Sequence, residues 1–318
     1  MTDKAGMADS FRGRDFLSLN DYKEGEIYHI LDLAAELKDQ LNNNIPHPLL
    51  KGKTLGMIFQ KSSTRTRISF EVGMYQLGGY PLFLSSRDLQ LGRGETIGDT
   101  GKVFSRYLDG IMIRTYDHDE VVELAEAADI PVINGLTDLL HPCQALADLM
   151  TIREYKGGLK GVKLAYLGDG NNMAHSLMIA GAKMGMHIAL GCPQGYEPSD
   201  EISEKARTAA KLSGAEIQVY NDPHLAVEDA HVIYTDVWAS MGQEEEAKER
   251  AEIFKNYQVN STLVKGAAGD AMIMHCLPAH RGWEISGDVI DGPKSVVFHQ
   301  AENRLHAQKA VMALLMSD

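Results

Sequence analysis

One polar segment, Ser62-Ser63-Thr64-Arg65-Thr66-Arg67, limits the folds open to this chain more than any other part of it. The apolar run over residues 54–59 that precedes it predicts a buried strand. Apolar residues spaced i, i+4, i+7 follow it and predict a helix that stops at Gly78-Gly79. The segment therefore lies at a strand-to-helix turn, where the unpaired N–H groups of the helix start favour an anion.

The side chains of this segment suit a phosphate group. Hydroxyls donate hydrogen bonds, and the planar guanidinium of Arg65 can bind two phosphate oxygens at once. A capped helix with two solvated arginines is the plainer interpretation, but two hydroxyl–arginine pairs in tandem favour a binding loop. Because the sequence contains no GxxxxGK[ST] motif, we expect a small phosphorylated metabolite instead of a nucleoside triphosphate.

Charge and cysteine content limit the possible partners. A net charge of −13 argues against general binding to nucleic acid or to an anionic membrane. The three cysteines make no disulfide framework and predict a reducing, cytoplasmic setting. Since no apolar run reaches the length of a membrane span and residues 1–12 lack an apolar core, we expect neither a membrane segment nor a signal peptide.

Strands and helices alternate along the chain, which is typical of parallel sheets in α/β proteins. Predicted strands cover residues 54–59, 80–84, 109–114, 131–134, 163–167, 187–191, 216–220, 231–235, 271–275 and 295–298. Predicted helices cover residues 21–42, 68–77, 96–108, 118–128, 142–150, 173–186, 243–252 and 302–315. The 318 residues suffice for two domains of about 150 residues each. We therefore predict two doubly wound α/β domains, each with a mainly parallel sheet, joined by interdomain helices.

A second dense motif begins at His141 and continues with Pro142, Cys143 and Gln144. Proline is favoured at the first position of a helix, so His141 is the predicted N-cap. His141 and Gln144 are three residues apart and therefore lie on neighbouring positions of the helix start. A linker helix with a structural histidine is the alternative. A Cys-His nucleophile is disfavoured, because adjacent positions at a helix start point in different directions.

The turn Gly168-Asp169-Gly170 after a predicted strand invites comparison with a dinucleotide-binding fingerprint. The third glycine position of that fingerprint holds Met173. The next strand ends in Cys192-Pro193, without the acid that binds a ribose. We therefore predict a Rossmann-like switch point that is used for something other than a dinucleotide.

Polar groups follow three strands of the second half of the chain. They are carried by Asn171-Asn172, by Asp236 with Ser240-Met241-Gly242, and by His275-Cys276-Leu277-Pro278. The carboxyl ends of parallel strands meet at one edge of a sheet, so these loops are expected to converge on a ligand. Taken singly, Asp236 could cap a helix and Cys276 could be a small buried apolar residue.

Together these motifs resemble those of the ornithine carbamoyltransferase family, in order and in plausible spacing over residues 16–315. The segment around Arg65 and the His-Pro-Cys-Gln motif are shared with aspartate carbamoyltransferase. The Ser-Met-Gly loop and the His-Cys-Leu-Pro motif distinguish the ornithine enzymes. The resemblance implies a carbamoyl-phosphate domain over residues 1–148, on which the helix 302–318 packs, and an ornithine domain over residues 149–301.

The resemblance implies a transferase that forms L-citrulline and phosphate from carbamoyl phosphate and L-ornithine, in arginine biosynthesis, with no metal and no cofactor. Its implied carbamoyl-phosphate contacts are Ser63, Thr64, Arg65, Thr66, Gln90, Arg114, His141, Pro142, Cys143, Gln144, Cys276, Leu277 and Arg304. Its implied ornithine contacts are Asn172, Asp236, Ser240 and Met241. Of these, Arg114, His141 and Cys276 are the implied catalytic residues. Gln90 is implied to reach the site of a neighbouring subunit in a homotrimer or a multiple of trimers.

Two other functions remain open at this point. One is a carbamoyltransferase for a different amine, such as putrescine. The other is a non-catalytic module that binds a phosphorylated ligand, although it would leave the loops around Asp236 and Cys276 unexplained. An amino acid carries an α-carboxylate and an α-ammonium group, which Asn172 and Asp236 are suited to bind.

Overall fold

A computed structural model describes residues 10–87, 89, 94–239 and 246–317. It divides into two compact units, one formed by Met1–Met150 with Asn303–Asp318 and the other by Thr151–Glu302. Both boundaries between the units fall inside helices, α5 (Pro142–Lys156) and α12 (Val297–Met316).

The first unit contains a parallel four-stranded sheet in the order β2-β1-β3-β4. Its strands are β1 (Thr54–Phe59), β2 (Tyr80–Ser85), β3 (Gly110–Arg114) and β4 (Val132–Leu136). Its further helices are α1 (Glu24–Asn42), α2 (Thr64–Gln76), α3 (Ile97–Phe104) and α4 (His118–Ala127), with a short 3₁₀ helix at Leu19–Asp21. The strand order reverses between β1 and β3, and Phe59 pairs with Arg114 at their carboxyl ends. This switch point is where open α/β sheets bind ligands.

The second unit contains a parallel five-stranded sheet in the order β7-β6-β5-β8-β9. Its strands are β5 (Lys163–Leu167), β6 (His187–Gly191), β7 (Ile217–Tyr220), β8 (Val232–Thr235) and β9 (Met272–His275). Its further helices are α6 (Asn172–Lys183), α7 (Asp200–Ser213), α8 (Pro223–Val227), α9 (Ala247–Phe254), α10 (Ser261–Val264) and α11 (Gly287–Ile290), with a 3₁₀ helix at Lys255–Tyr257. Leu167, Thr235 and His275 end three adjacent strands in register. The polar residues that follow these strands therefore start from one edge of the sheet.

The predicted strand at residues 295–298 is wrong. Helix α12 begins at Val297, and Ser295 forms an isolated parallel bridge with Ile273. A short apolar run does not by itself distinguish a strand from the start of a buried helix, and here the helical pattern of α12 extends back through it. The helix α7 was not predicted, although Ser199 supplies a standard N-cap that accepts from Ile202 N–H.

Helix α2 has two apolar rows with different surroundings. Phe70 and Met74 are fully buried. Ile68, Val72 and Tyr75 are 53%, 37% and 76% exposed within this chain. Helical periodicity predicted both rows correctly but does not tell which of them faces the core.

Helices α2 and α12 lie in close contact. A Cβ atom on Gly73 would come within 3.0 Å of Met312 Cε and 3.2 Å of Lys309 Cγ. The glycine in the middle of α2 therefore allows α12 to approach. Among the described residues, none of the helices combines the length and the hydropathy of a membrane-spanning segment.

Candidate active site

The segment after β1 forms the predicted strand-to-helix turn, with Ser63 as the N-cap of α2. The Ser63 hydroxyl accepts from Thr66 N–H at 3.2 Å and donates to Thr66 Oγ1 at 3.1 Å. Thr66 is buried, Ser63 and Arg65 are partly exposed, and Thr64 is exposed. The first turn of α2 is thus fixed by its own cap, which leaves Thr64 and Arg65 accessible to a ligand.

Arg304 of α12 joins α2 to α5. Its guanidinium is buried, donates from Nη1 to Gln144 Oε1 at 2.6 Å and donates from Nη2 to Thr66 Oγ1 at 3.1 Å. With its amide oxygen facing this guanidinium, Gln308 accepts from Arg304 at 3.2 Å and donates to Ser69 Oγ at 2.5 Å. Thr66 Oγ1 accepts from both Ser63 and Arg304, so the proton of its own hydroxyl is the group that it can offer to a ligand.

His141 lies close enough to three arginines to feel their positive charges. It directly precedes α5, and its carbonyl accepts from the N–H groups of Gln144 and Ala145, as expected for the predicted N-cap. Burial, followed by the charges of Arg304, Arg114 and Arg65, holds the pKa of His141 well below its usual range. The imidazole is therefore neutral at physiological pH. A neutral imidazole beside three guanidinium groups leaves a cluster with strong net positive charge and a hydrogen-bonding ring.

The thiol of Cys143 faces β4. It is buried and donates to the carbonyl of Asn134 at 3.4 Å. Burial raises the pKa of Cys143 to about 12, with a smaller opposing effect from Arg304. A thiol that stays protonated is a poor nucleophile, in agreement with the sequence argument against a Cys-His pair.

In the second unit, the structure brings the predicted loops together at Asp236. The buried carboxylate follows β8 and accepts from Cys276 Sγ at 2.9 Å and from Val237 N–H at 2.8 Å, both at Oδ1. Its Oδ2 accepts from Asn171 Nδ2 at 3.3 Å. Neutral donors therefore surround this carboxylate, which keeps its negative charge available to a cationic group of a ligand.

Asn171 belongs to this cluster, although the sequence argument assigned the ligand contact to Asn172. Asn171 is the N-cap of α6, and its Oδ1 accepts from the N–H groups of Met173 and Ala174 and from the Tyr166 hydroxyl. These three bonds turn its Nδ2 toward Asp236. Asn172 is the first residue of α6. The N-cap preference of asparagine was the sequence signal that pointed to Asn171.

A buried histidine and glutamate support the loop that carries Cys276 and Leu277. His275 Nδ1 accepts from Leu277 N–H at 2.8 Å, so the ring proton lies on Nε2 and donates to Glu284 Oε1 at 3.1 Å. Leu277 has a φ of 57°, in the left-handed region that few non-glycine residues adopt. Glu284 also accepts from His280 N–H at 2.5 Å. Sequence reasoning missed Glu284, because nothing in its local pattern distinguishes it from a surface acid.

Asp236, His275 and Cys276 bring three possible metal ligands within 4.8 Å of one another. Both His275 nitrogens are already hydrogen-bonded, to Leu277 and to Glu284. A metal ion bound through this ring would have to displace one of these partners. The cluster is therefore better suited to hydrogen bonding than to metal coordination.

The Rossmann-like turn is filled by the protein itself. Gly170 N–H donates to Tyr196 O at 2.8 Å, and a Cβ on Gly170 would lie 2.2 Å from Pro198 N. In a dinucleotide-binding protein this space admits the pyrophosphate. The packed loop fills this space beside Gly170, in agreement with the sequence argument against a dinucleotide.

Arg250 ties the turn after β5 to the chain that flanks residues 240–245. Its Nη1 donates to Asp169 Oδ2 at 2.8 Å and to Trp238 O at 3.0 Å. Ser240 and Met241, as well as Gln90 of the first unit, lie outside the described residues. Their predicted contacts stay predictions.

Two family models match the chain. Residues 14–154 match the aspartate/ornithine carbamoyltransferase carbamoyl-P binding domain, and residues 160–315 match the Asp/Orn binding domain of the same family. The ornithine carbamoyltransferase of Oceanobacillus iheyensis is 62% identical over 307 residues, which cover 96% of this chain and 95% of that protein. The anabolic ornithine carbamoyltransferase of Pyrococcus furiosus is 60% identical over 310 residues, 98% of each chain.

Solved structures agree with these relatives. The structure of ornithine carbamoyltransferase from Pyrococcus furiosus matches with a TM-score of 0.94 and 60% identity, over 96% of this chain and 98% of that one. The enzyme from Gloeobacter violaceus matches with a TM-score of 0.86 and 48% identity, over 96% of this chain and 99% of that one. The chain belongs to the aspartate/ornithine carbamoyltransferase family.

Proposed function

We propose that this enzyme transfers the carbamoyl group of carbamoyl phosphate to the δ-amine of L-ornithine, giving L-citrulline and phosphate in arginine biosynthesis. The observation that carries the proposal is the neutral His141 among Arg65, Arg114 and Arg304 at the switch point of the first sheet. Such a cluster fits a ligand with both a phosphate and a polarisable carbonyl. The relatives named above support ornithine as the acceptor.

The first unit binds and activates carbamoyl phosphate in this proposal. Ser63, Thr64, Arg65 and Thr66 bind the phosphate. Arg114 and His141 offer hydrogen-bond donors to the carbonyl oxygen, on which negative charge develops as the amine attacks. Donors that are already oriented lower the barrier without reorganising during the reaction. A C–N bond forms as the C–O bond breaks, phosphate leaves with the electron pair of that C–O bond, and the attacking nitrogen gives up one proton to the phosphate.

The second unit binds ornithine in this proposal. The Asp236 carboxylate binds the α-ammonium group, and Asn172 binds the α-carboxylate, with Ser240 and Met241 completing the site. The attacking δ-amine must be neutral, and an apolar surrounding lowers the pKa of an amine by disfavouring its charged form. Cys276 lines the path of this amine. No covalent enzyme intermediate is needed.

A citrulline assay with a panel of acceptor amines tests the proposal. Carbamoyl phosphate is supplied with L-ornithine, putrescine or L-aspartate, and the carbamoylated product is quantified. Fast product formation with L-ornithine alone is expected. Preferred turnover of putrescine would establish the alternative amine, and phosphate binding without turnover of any amine would establish a non-catalytic module.

The proposal includes a homotrimer in which Gln90 completes the site of a neighbouring subunit. The exposed row of Ile68, Val72 and Tyr75 on α2 supports burial of this face against another subunit. If sites are shared, mixed oligomers of the inactive Arg65→Ala and Gln90→Ala chains regain activity. Verified mixed oligomers without activity would contradict shared sites. All three cysteines lie in the described part of the chain as thiols, which supports a cytoplasmic setting.

A further inference from the structure

A line of three hydrogen bonds leads from a buried acid to the phosphate segment. Asp148 Oδ1 accepts from Gln144 Nε2 at 2.8 Å, one turn earlier on α5. Gln144 Oε1 accepts from Arg304 Nη1 at 2.6 Å, and Arg304 Nη2 donates to Thr66 Oγ1 at 3.1 Å. The relative exposure of the four residues is between 0% and 3%, so water does not compete for these bonds.

The orientation of the Gln144 amide decides whether this line is intact. An amide has a donor end and an acceptor end, and both ends are engaged here. A carboxylate oxygen accepts, so Asp148 Oδ1 draws the Nε2 end of Gln144 toward itself. The oxygen end must then face Arg304. The reversed amide would place Nε2 against the guanidinium, with two donors facing each other and no bond between them.

The position of Arg304 in turn decides what Thr66 can do. Thr66 Oγ1 accepts from Ser63 Oγ and from Arg304, and these two bonds direct its own O–H away from both donors. Without the Gln144 bond, the Arg304 guanidinium loses one of the acceptors that fix its orientation. The Thr66 hydroxyl would then rotate more freely, and its hydrogen bond to an anion would be weaker.

We infer that Asp148 is a positioning residue, which orients the Gln144 amide and thereby holds Arg304 and Thr66 in the geometry that binds the phosphate of the substrate. The inference rests on the proposed function for the identity of that substrate. Asp148 is not among the residues assigned to the ligand and acts through Gln144 and Arg304 in this inference.

Asp148→Asn is the isosteric test, because the introduced amide permits both orientations of Gln144. We expect a dissociation constant for inorganic phosphate raised roughly 10-fold in calorimetry, the effect of losing one hydrogen bond to a charged group. The KM for carbamoyl phosphate should rise by a similar factor. The KM for ornithine, whose contacts lie in the second unit, should stay near the wild-type value.

The double variant Asp148→Asn/Gln144→Glu separates positioning from simple packing. The introduced carboxylate at position 144 accepts from Arg304 in either orientation, and the introduced amide at position 148 can donate to it. Inorganic phosphate should therefore bind more tightly to the double variant than to Asp148→Asn. Met150→Leu, a volume-conserving change at a buried residue of the same helix, is the matched control and should bind phosphate like wild type.

Two results would overturn the inference: wild-type phosphate affinity in Asp148→Asn, or a double variant that binds phosphate no better than the single one. A merely structural role would lower the melting temperature and the fraction of folded protein, without a selective loss of phosphate affinity and without rescue. Failure of the proposed function is recognised separately. In that case the wild-type chain forms no citrulline, while the phosphate titrations still decide the role of Asp148.

Discussion

The two polar clusters of this protein obtain their charge in different ways. The first unit relies on guanidinium groups, which stay charged at all physiological pH values, and it suppresses the charge of the one imidazole among them, His141. The second unit has at its centre one carboxylate, Asp236, held by an amide, a thiol and a backbone N–H. The first cluster suits a permanent anion, and the second suits a cationic group.

The supporting contacts differ as well. Arg304 and Thr66, which make a direct bond in the first cluster, are 238 residues apart in the sequence. In the second cluster, the residues that follow three adjacent parallel strands meet at Asp236, so the sheet register itself positions them. The first cluster therefore depends on the docking of α12, and the second depends on the sheet edge.

The sharpest test of the first cluster is Arg65→Ala. It removes a charge that a bound phosphate would pair with, so citrulline formation should fall by at least about 1,000-fold. Arg65→Lys keeps the charge but loses the fork geometry, and each charged hydrogen bond is worth about 1.5–3 kcal/mol. Arg67, exposed two residues later and paired with Glu71, is the matched control: Arg67→Lys should stay close to wild type. Wild-type kinetics in Arg65→Lys would remove Arg65 from the phosphate site.

Arg250→Met tests the ion pair that supports the second unit next to its polar cluster. The change leaves the partly buried Asp169 carboxylate without its arginine partner, which should lower the free energy of unfolding of the second unit by about 3 kcal/mol. Arg281→Met, which breaks an exposed ion pair with Asp291, is the control and should change stability little. Denaturant unfolding measures both. Equal losses in the two variants would mean that the Asp169–Arg250 pair has no special structural role.

Asp236→Asn tests the division of labour between the units. Loss of the carboxylate charge should weaken ornithine binding by roughly 10- to 100-fold, while carbamoyl-phosphate binding stays near wild type. Initial-rate kinetics with each substrate varied in turn separates the two constants. Asp200→Asn, an exposed acid at the start of α7, should change neither. If Asp236→Asn instead loses carbamoyl-phosphate affinity, the two substrates have been assigned to the wrong units.

Features that depend on interactions between residues close in the sequence could be predicted, and features that depend on distant segments could not. The turn at Ser63 and the helix start at His141 depend on local rules for caps and strand ends, and the structure has both where the pattern placed them. The convergence at Asp236 needed one further assumption, that the strands are parallel. The start of α12 at Val297 was missed because four apolar or small residues are too few to show a period.

The supporting residues were the hardest to predict. The Arg304–Thr66 bond joins two segments that are far apart in the sequence, and no local sequence pattern predicts it. The buried Glu284 and Arg250 look like surface charges in the sequence, because burial of a charge depends on tertiary packing. Asp148 is a partial exception. It lies four residues after Gln144, a spacing at which helical side chains meet, so the pair was within reach of the sequence.

The smallest expected effect concerns the suppressed charge of His141. Burial and the neighbouring arginines, Arg304 first among them, lower the pKa of His141 in the folded protein. The unfolded imidazole keeps its usual pKa of about 6.5. Below that pH the unfolded state binds a proton that the folded state does not, so stability falls as the pH falls through and below about 6.5. Above that range both states are neutral and the effect disappears.

His141→Gln removes this titration while keeping a polar side chain at the N-cap. Between pH 6.5 and pH 5.5, the free energy of unfolding of the wild type should therefore fall by about 1 kcal/mol more than that of the variant. His224→Gln, at an exposed position of α8, is the control for the change of residue type. Denaturant midpoints at the two pH values measure the difference. A constant difference for His141→Gln would mean that the imidazole protonates in the folded protein, and the positive cluster would then tolerate a fourth charge.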